Sequence, residues 1–588
     1  MSDFIYSSKS KLHGELASHI QSIYHNDPPE LFEFHGQWGS LGVSRNLYNG
    51  FQPLETDKYI FVVIGGPVLC FRDNKFLTGT DPVVGTKSIY ERWLAKKIQW
   101  DEDLSGPFVV LVVDKEKKQI TCITDLMMFI PAYRCLQDRV LTLGTHVDAL
   151  ARASDQEQDL DLVSLTDFIL NDVVTYPYTM YRNIRQLHPA AEQCYSVKSS
   201  SKPKEYDSNV FWIHKEENIY SNINEAAQTL RHGLHDYVNR ITEGMDHVAQ
   251  FISAGEDSRT VAGMLPQRLK RDAFIFLDSM NREGKIAQRV AKAYKTDFHP
   301  AFRSRTHYLD ILPEAADLIG SGHQHIHAHS LGFHIACALG YYSAVFGGYL
   351  ADSLLKACYS RNFRGKGRFP FLPHIFIPGE TRTKPIKNSL IKQNVLQAID
   401  ERRTLHMQRI QSFRKDSSHE WFVLWPITMR TTAPYFYSNR RLFRIYEPFL
   451  SQRASKLAAI VPTQWKLNHR LFNKAFRPFL RQSRWILHSD GRLPYCSWWT
   501  NIPIQAAIWL GRKIAFRAGI IKGNQGPWND WGQIIGSSKW QASIQSYAKG
   551  FDKIKPLLKV QRVDDVFDNQ ALSRTQKINL LQIVRFLS

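Results

Sequence analysis

The sequence predicts an α+β front domain followed by an α/β domain built on a parallel sheet. Residues 30–150 string together short β-branched and aromatic runs, cut by Gly, Asp and Lys turns. From about residue 220, strand-like runs alternate with amphipathic helices, the pattern of βαβ units. The charge balance changes sign with the pattern. Residues 1–200 hold 19 Lys+Arg against 25 Asp+Glu, and the other 388 residues hold 56 against 30. A chain of 588 residues is too long for one core, and its 43% hydrophobic content excludes disorder.

In the front part, YIFVVIGGPVLCF (59–71), GPFVVLVVDKEKKQITCITD (106–125) and RVLTLGT (139–145) read as strands, the second as a hairpin. LVSLTDFIL (162–170) reads as a helix. VKSSSKPKEYDS (197–208) reads as a linker, so the domain boundary is placed at 207/208. INEAAQTLRHGLHDYVNRI then predicts an amphipathic helix leading into the strand VAQFIS. Helix VAGMLPQRL, strand DAFIFLD (272–278), helix KIAQRVAKAYK (285–295) and strand YYSAVFGG (341–348) follow. Ligands of such sheets sit at the carboxyl ends of the strands. Ser253–Gly255 and Gly347–Gly348 are therefore expected to share one crevice.

FISAGEDSRTVAGML (251–265) carries the chemistry. A strand, a small-residue turn and a helix N-terminus aim free N–H groups at an anion. There is no Walker lysine; Asp257 stands in the turn instead. SAGEDS (253–258) resembles the S-G-G-x-D-S pyrophosphate loop of the asparagine synthetase family, with Ala254 for the middle Gly. Further matches follow in the family's order. NREGKIAQRVAKAY carries Glu283 and Ala287 (E-x-x-x-A). FGGYLADSLL (346–355) is similar to G-x-G-A-D-E-L-F, with Ser353 for the Glu. YEPFLS (446–451) echoes R-x-P-F-L-D, with Ser451 for the Asp, and KLNHR (466–470) resembles K-x-x-L-R.

The front half resembles the family's glutaminase domain in TDLMMFIPAYR (124–134), LTLGTHVDAL (141–150) and MYRNIRQLHPAAEQCYSV. Its chemistry is missing. The family's Cys at position 2 is Ser2, a poor nucleophile beside a thiolate, and the F-N-G-E-I-Y-N motif has become VVIGGPVLC (62–70). No glutamine hydrolysis is expected. The resemblance implies an Ntn-hydrolase-like α+β sandwich over 1–207, a degenerate class II glutamine amidotransferase-like domain. Over 208–588 it implies an α/β adenine-nucleotide alpha-hydrolase-like (PP-loop ATPase) synthetase domain, with basic Trp-rich C-terminal helices at 480–545.

The resemblance also implies the reaction. ATP and Mg²⁺ adenylate a carboxylate, and an amine or ammonia then attacks. Ser253, Ala254, Gly255, Glu256, Asp257 and Ser258 would hold ATP and pyrophosphate, Asp257 and Asp352 the metal, and Lys466 the developing charge. Tyr349 stands where the β-lactam synthetase branch has Tyr, and would assist Lys466. The basic back half favours an acidic acceptor, a small molecule, glycan or peptide carboxylate. A uronic acid of a bacterial surface polysaccharide is the first expectation. A lasso-type macrolactam cyclase and an inactive scaffold are the alternatives.

GHQHIHAHSLGFH (322–334) holds five histidines. Their i, i+2 spacing predicts one strand face, with His327, His329 and Glu283 as candidate substrate contacts and a metal site as an alternative. The stretch 480–545 holds seven of the 14 Trp, and NIPIQAAIWLGRKIAFRAGII has cations placed to snorkel. An aromatic core, an acidic sugar chain and a membrane-surface helix are all read there; single-stranded nucleic acid is the weakest reading, and none beyond ATP is expected. Arg402–Arg403 and Arg440–Arg441 read as solvated faces. Seven Cys without a CxxC pair, and an N-terminus without a long apolar core, predict a reduced cytoplasmic protein, at most peripheral to the inner membrane surface. A homodimer is compatible with the sequence.

Overall fold

The computed structural model describes residues 3–197, 204–363, 369, 371–379, 383–520, 523–559 and 562–588. Ser2 lies outside them.

The front part is a four-layer α-β-β-α stack. One six-stranded antiparallel sheet contains the first strand, Phe4–Ser7, between Val140–Gly144 and Gly39–Ser44. The other holds Tyr59–Gly65 and the predicted hairpin, Phe108–Asp114 with Gln119–Thr124. These strands are buried almost throughout because both faces are covered. Inner faces meet in a shared core that includes Phe4, Leu41, Val62 and Leu111. Helices Glu15–Gln21 and Val147–Ala153 close one outer face around Ile5, Leu16 and Ile20. Helix Val84–Leu94 closes the other, setting Tyr90 and Trp93 against Tyr59 and Phe61.

The linker reading needs correction. Lys204–Val210 is a strand paired with Ala191–Ser196, so the front sheet runs past the 207/208 boundary; residues 198–203 lie outside the described set.

The back part is a five-stranded parallel sheet. Its order is Asp297–Phe302, Lys270–Leu277, His247–Phe251, Val345–Phe346, Ile445–Tyr446. The first three strands run outward in reverse chain order and the fourth returns to the far side of His247–Phe251. The order therefore reverses between His247–Phe251 and Val345–Phe346, which opens a crevice at their carboxyl ends.

The two parts are welded together. One hydrophobic core runs from Phe4 through Val248 to Phe476. Tyr48 donates its hydroxyl to the Ile445 carbonyl at 2.6 Å, and Trp425 its indole N–H to Leu126 at 3.2 Å. The weld includes charge. Asp3 accepts from Arg440 at 2.9 Å, from Arg441 at 2.8 Å twice, and from Thr145 at 2.8 Å, all with negligible exposure. Arg402, itself partly buried, likewise reaches the buried Asp161 at 2.7 Å. The solvated reading of these arginine pairs is overturned: they tie elements far apart in sequence.

Burial opposes the Asp3 charge, but Arg440 and Arg441 outweigh it and hold the carboxyl well below its ordinary range. A depressed folded value gives stability that is present above the ordinary carboxylate value, about 3.9, and lost as pH falls through the folded one. Arg441→Met should cost about 3–5 kcal/mol in urea unfolding at neutral pH, because it leaves Asp3 buried and under-compensated. The same variant should show a shallower loss of stability on acidification below about pH 5.

Candidate active site

The chain turns out of strand His247–Phe251 through Ser253–Gly255 into the helix Glu256–Met264. Ser258 organises the turn. Its Oγ accepts the Ser253 N–H at 3.1 Å and lies 3.0 Å from Ser253 Oγ, which itself accepts from Gly255 N at 3.0 Å. Ala254 replaces glycine without strain: its φ is not positive, and it packs in a small core with Ile252 and Ala262.

The second loop leaves Val345–Phe346 through two glycines that cannot be replaced. A Cβ on Gly347 would lie 2.1 Å from Glu447 Oε1, and one on Gly348 would come within 3.0 Å of the Asp257 backbone. The two loops thus touch, and Asp257 and Asp352 face one cavity of about 410 Å³. Ser253, Ser258, Tyr349, Arg430, Thr432, Tyr435, His327, His329 and Trp528 also line it.

Charge in this cavity is finely balanced. Burial pushes Asp257 up to about 6; Lys356 opposes this, and the neighbouring Glu256 and Asp352 add to it. For Asp352 burial also opposes ionisation, but Arg430, 3.5 Å away, and Lys356 hold it below the ordinary range. Two hard carboxylates facing one cavity are oxygen donors of the kind a Mg²⁺ ion takes, so the residues fit that metal. Lys356 reaches both Glu256, at 2.8 Å, and Asp257.

Several candidates are elsewhere. Glu256 turns away from the cavity into a buried cluster with Arg492 at 2.9 and 3.1 Å, Lys356, and His469 Nδ1 at 2.6 Å. Glu283 accepts the Ala254 N–H at 2.8 Å. It braces the loop from behind and does not line the cavity, and it takes up the amide expected to hold phosphate. Lys466 is wholly buried on Glu420 at 2.8 Å and is not brought to Tyr349. Burial pushes its ammonium down, and Glu420 counters.

Tyr349 is at the site. Its N–H donates to Glu447 at 2.7 Å, its hydroxyl lies 3.4 Å from Thr432 Oγ1, and burial pushes it up to about 12. Ser353 donates to Asp352 at 2.9 Å, and Ser451 caps the helix Gln452–Ile460.

The histidine-rich stretch forms no strand. It is a loop with a 3₁₀ turn at His325–His327, because Gln582 and Asn579 of the helix Arg574–Leu587 grip it. His325 is spent on Gln582 and the Tyr308 carbonyl, both at 3.0 Å. His327 and His329 do face the cavity; burial pushes His327 down to about 3, and His329 well below its usual value, so both are neutral. Among the described residues the one group of three or more His, Cys, Asp or Glu close enough to share a metal is His13, Glu33 and His35, and the stretch contributes no residue to it.

Sequence reasoning missed Lys356, Arg430, Glu447 and Arg492. Only Glu447 had a signal, being inside the quoted YEPFLS; burial pushes it up to about 8.

Residues 39–207 match the model of a glutamine amidotransferase domain, and residues 229–487 that of asparagine synthase. The chain belongs to the asparagine synthetase family. It pairs a glutamine amidotransferase-type domain with an asparagine synthase domain, and is in general terms an ATP-dependent amide ligase. No match is found among curated proteins. Among solved structures it is similar to the allosteric regulatory enzyme of purine biosynthesis, at 9% identity over 51% of this chain and 80% of that one, TM-score 0.23. Glutamine phosphoribosylpyrophosphate amidotransferase from B. subtilis, complexed with ADP and GMP, matches at 9% identity over 53% and 92%, TM-score 0.22. At such scores these likenesses carry no argument.

Two outcomes follow for this family member. Lys466→Met should destabilise the fold by about 3–5 kcal/mol in urea unfolding, since it strands Glu420 uncompensated in the core. Mg²⁺ affinity measured by calorimetry should rise with pH through about 6, as Asp257 ionises, and Asp257→Asn should remove that rise.

Proposed function

We propose that the chain is an AMP-forming carboxylate–amine ligase. ATP and a carboxylate would give an acyl-adenylate and pyrophosphate; an amine or ammonia would then displace AMP to form the amide. The observation that carries this reading is the meeting of Asp257 and Asp352 in one cavity, beside a serine-lined helix N-terminus. Ser253, Gly255 and Ser258 would hold pyrophosphate, and Ala254 would only shape the turn. Asp257 and Asp352 would hold Mg²⁺, which when bound supplies charge neutralisation between phosphates. Arg430, which lines the cavity, would take the role that the sequence assigned to Lys466, with Lys356 behind it on Asp257. Tyr349, its hydroxyl near Thr432, would orient the amine.

The acceptor reading rests on a neighbouring cavity of about 630 Å³ that shares His327, His329 and Trp528 with the first. Tyr308, Trp531 and Arg574 also line it. Aromatic faces with an arginine and neutral histidines suit a sugar acid, so a uronic acid of a surface glycan is the substrate class we favour. The front domain would act as scaffold without hydrolysing glutamine: VVIGGPVLC offers no Asn or Glu to bind it, and Asp3 is committed to Arg440 and Arg441. The inactive-scaffold reading has one observation in its favour, the withdrawal of Lys466 onto Glu420.

ATP–pyrophosphate exchange with Mg²⁺ decides between them. With uronic acids or aspartate, exchange should appear with one acid and fall by at least about a hundredfold in Asp257→Ala, as loss of an essential electrostatic contact does. No exchange with any acid, together with no ATP binding, would leave the scaffold.

A further inference from the structure

The helix Trp498–Arg517 is packed inside out. Its only buried residues are the polar Asn501 and Gln505. Asn501 bonds the Leu493 amide and carbonyl at 2.7 and 2.9 Å. Helical spacing puts Trp499, Leu510 and Ile514 on the opposite face, where they are 70, 55 and 59% exposed. Phe516, off that face by helical spacing, is also 71% exposed, as is Ile520 beyond the helix end at 77%. A surface helix normally turns such a stripe inward. Lys513 and Arg517 stand on the same outer face, with the Lys513 ammonium 4.0 Å from the Trp509 ring centre.

The charge around the patch has one sign. Between Asp490 and Asp530 the sequence has five cations (Arg492, Arg512, Lys513, Arg517 and Lys522) and no acid. On the inner side of the helix, in register with Asn501 and Gln505, Arg512 walls a cavity of about 690 Å³ with Arg282, Lys285, Arg289 and the exposed Trp485, and among the described residues no carboxylate lines it. Among the described residues none of these four cations is in an ion pair, and Arg282 Nε is buried without a hydrogen-bond partner. The nearest acids are committed elsewhere, Glu283 to Ala254 N and Asp490 to Arg492 and His488.

We propose that the outer face of this helix docks on an anionic lipid bilayer, Trp499, Leu510 and Ile514 entering the headgroup–acyl boundary with Lys513 and Arg517 beside them. The helix lies in the interface: among the described residues no helix is long and apolar enough to cross a membrane. Trp and Arg/Lys at its rim are the side chains that sit at that depth. Each cation near an anionic surface adds attraction that salt screens, while the apolar contribution persists. Docking is independent of the ligase reading, and its test involves no ATP.

The test is co-sedimentation of the full chain with phosphatidylcholine vesicles, with and without phosphatidylglycerol. Binding should appear on the anionic vesicles and survive in part at physiological salt. Trp499→Ser/Leu510→Ser/Ile514→Ser should weaken it about tenfold or more at either salt, and Lys513→Gln/Arg517→Gln mainly at low salt. All these side chains are at least partly exposed, so the unfolding midpoint should not move. Equal sedimentation with and without phosphatidylglycerol overturns the proposal. So does an undiminished apolar triple variant, which would mean plain adsorption of a basic chain. So does a Lys513→Gln/Arg517→Gln variant that binds unchanged at low salt. Self-association in solution that the triple variant abolishes, with no vesicle binding, makes the face a protein interface instead.

Discussion

Two loops from strands far apart in sequence touch at Gly348, and the candidate site depends on that contact. A side chain there would push against the Asp257 backbone, and one at Gly347 against Glu447. The order of the parallel sheet makes the meeting possible, since His247–Phe251 and Val345–Phe346 are hydrogen-bonded neighbours with the order reversing between them. Everything acidic at the site follows from this approach. Asp257 and Asp352 face the same space, so Asp352 adds to the cost of ionising Asp257, and Lys356 and Arg430 offset the charge of the pair.

Buried charge recurs through the molecule in the same form. Asp3 with Arg440 and Arg441, Glu420 with Lys466, and Glu256 with Arg492 and Lys356 are each shut away from water. Such groups add little net stability but penalise any arrangement that separates them. They join elements hundreds of residues apart: the first strand to the helix Pro434–Leu442, and the loop helix to the 490s. The front domain is thereby a fixed wall of the back one, with a common core and shared hydrogen bonds. The front domain therefore has a structural part in the molecule whatever its chemistry.

The sequence by itself determined the elements and the loop. Strands, helices and the hairpin were legible because alternation and helical spacing are local. The Ser253–Ser258 turn and Asp352 were legible because a phosphate cradle and its acidic partner are short contiguous patterns. Tertiary structure decided what long-range packing alone can set. KLNHR looked like a catalytic lysine motif, yet whether Lys466 faces the cavity or Glu420 depends on the helix Ser418–Leu424, which nothing near residue 466 encodes. The alternating histidines suggested a strand, but Gln582 and Asn579 impose a loop. Arg440 and Arg441 looked solvated because their partner is at residue 3. The apolar stripe of Trp498–Arg517 was visible in the sequence, but only the fold showed which way it faces, because burial belongs to the whole packing and not to the segment.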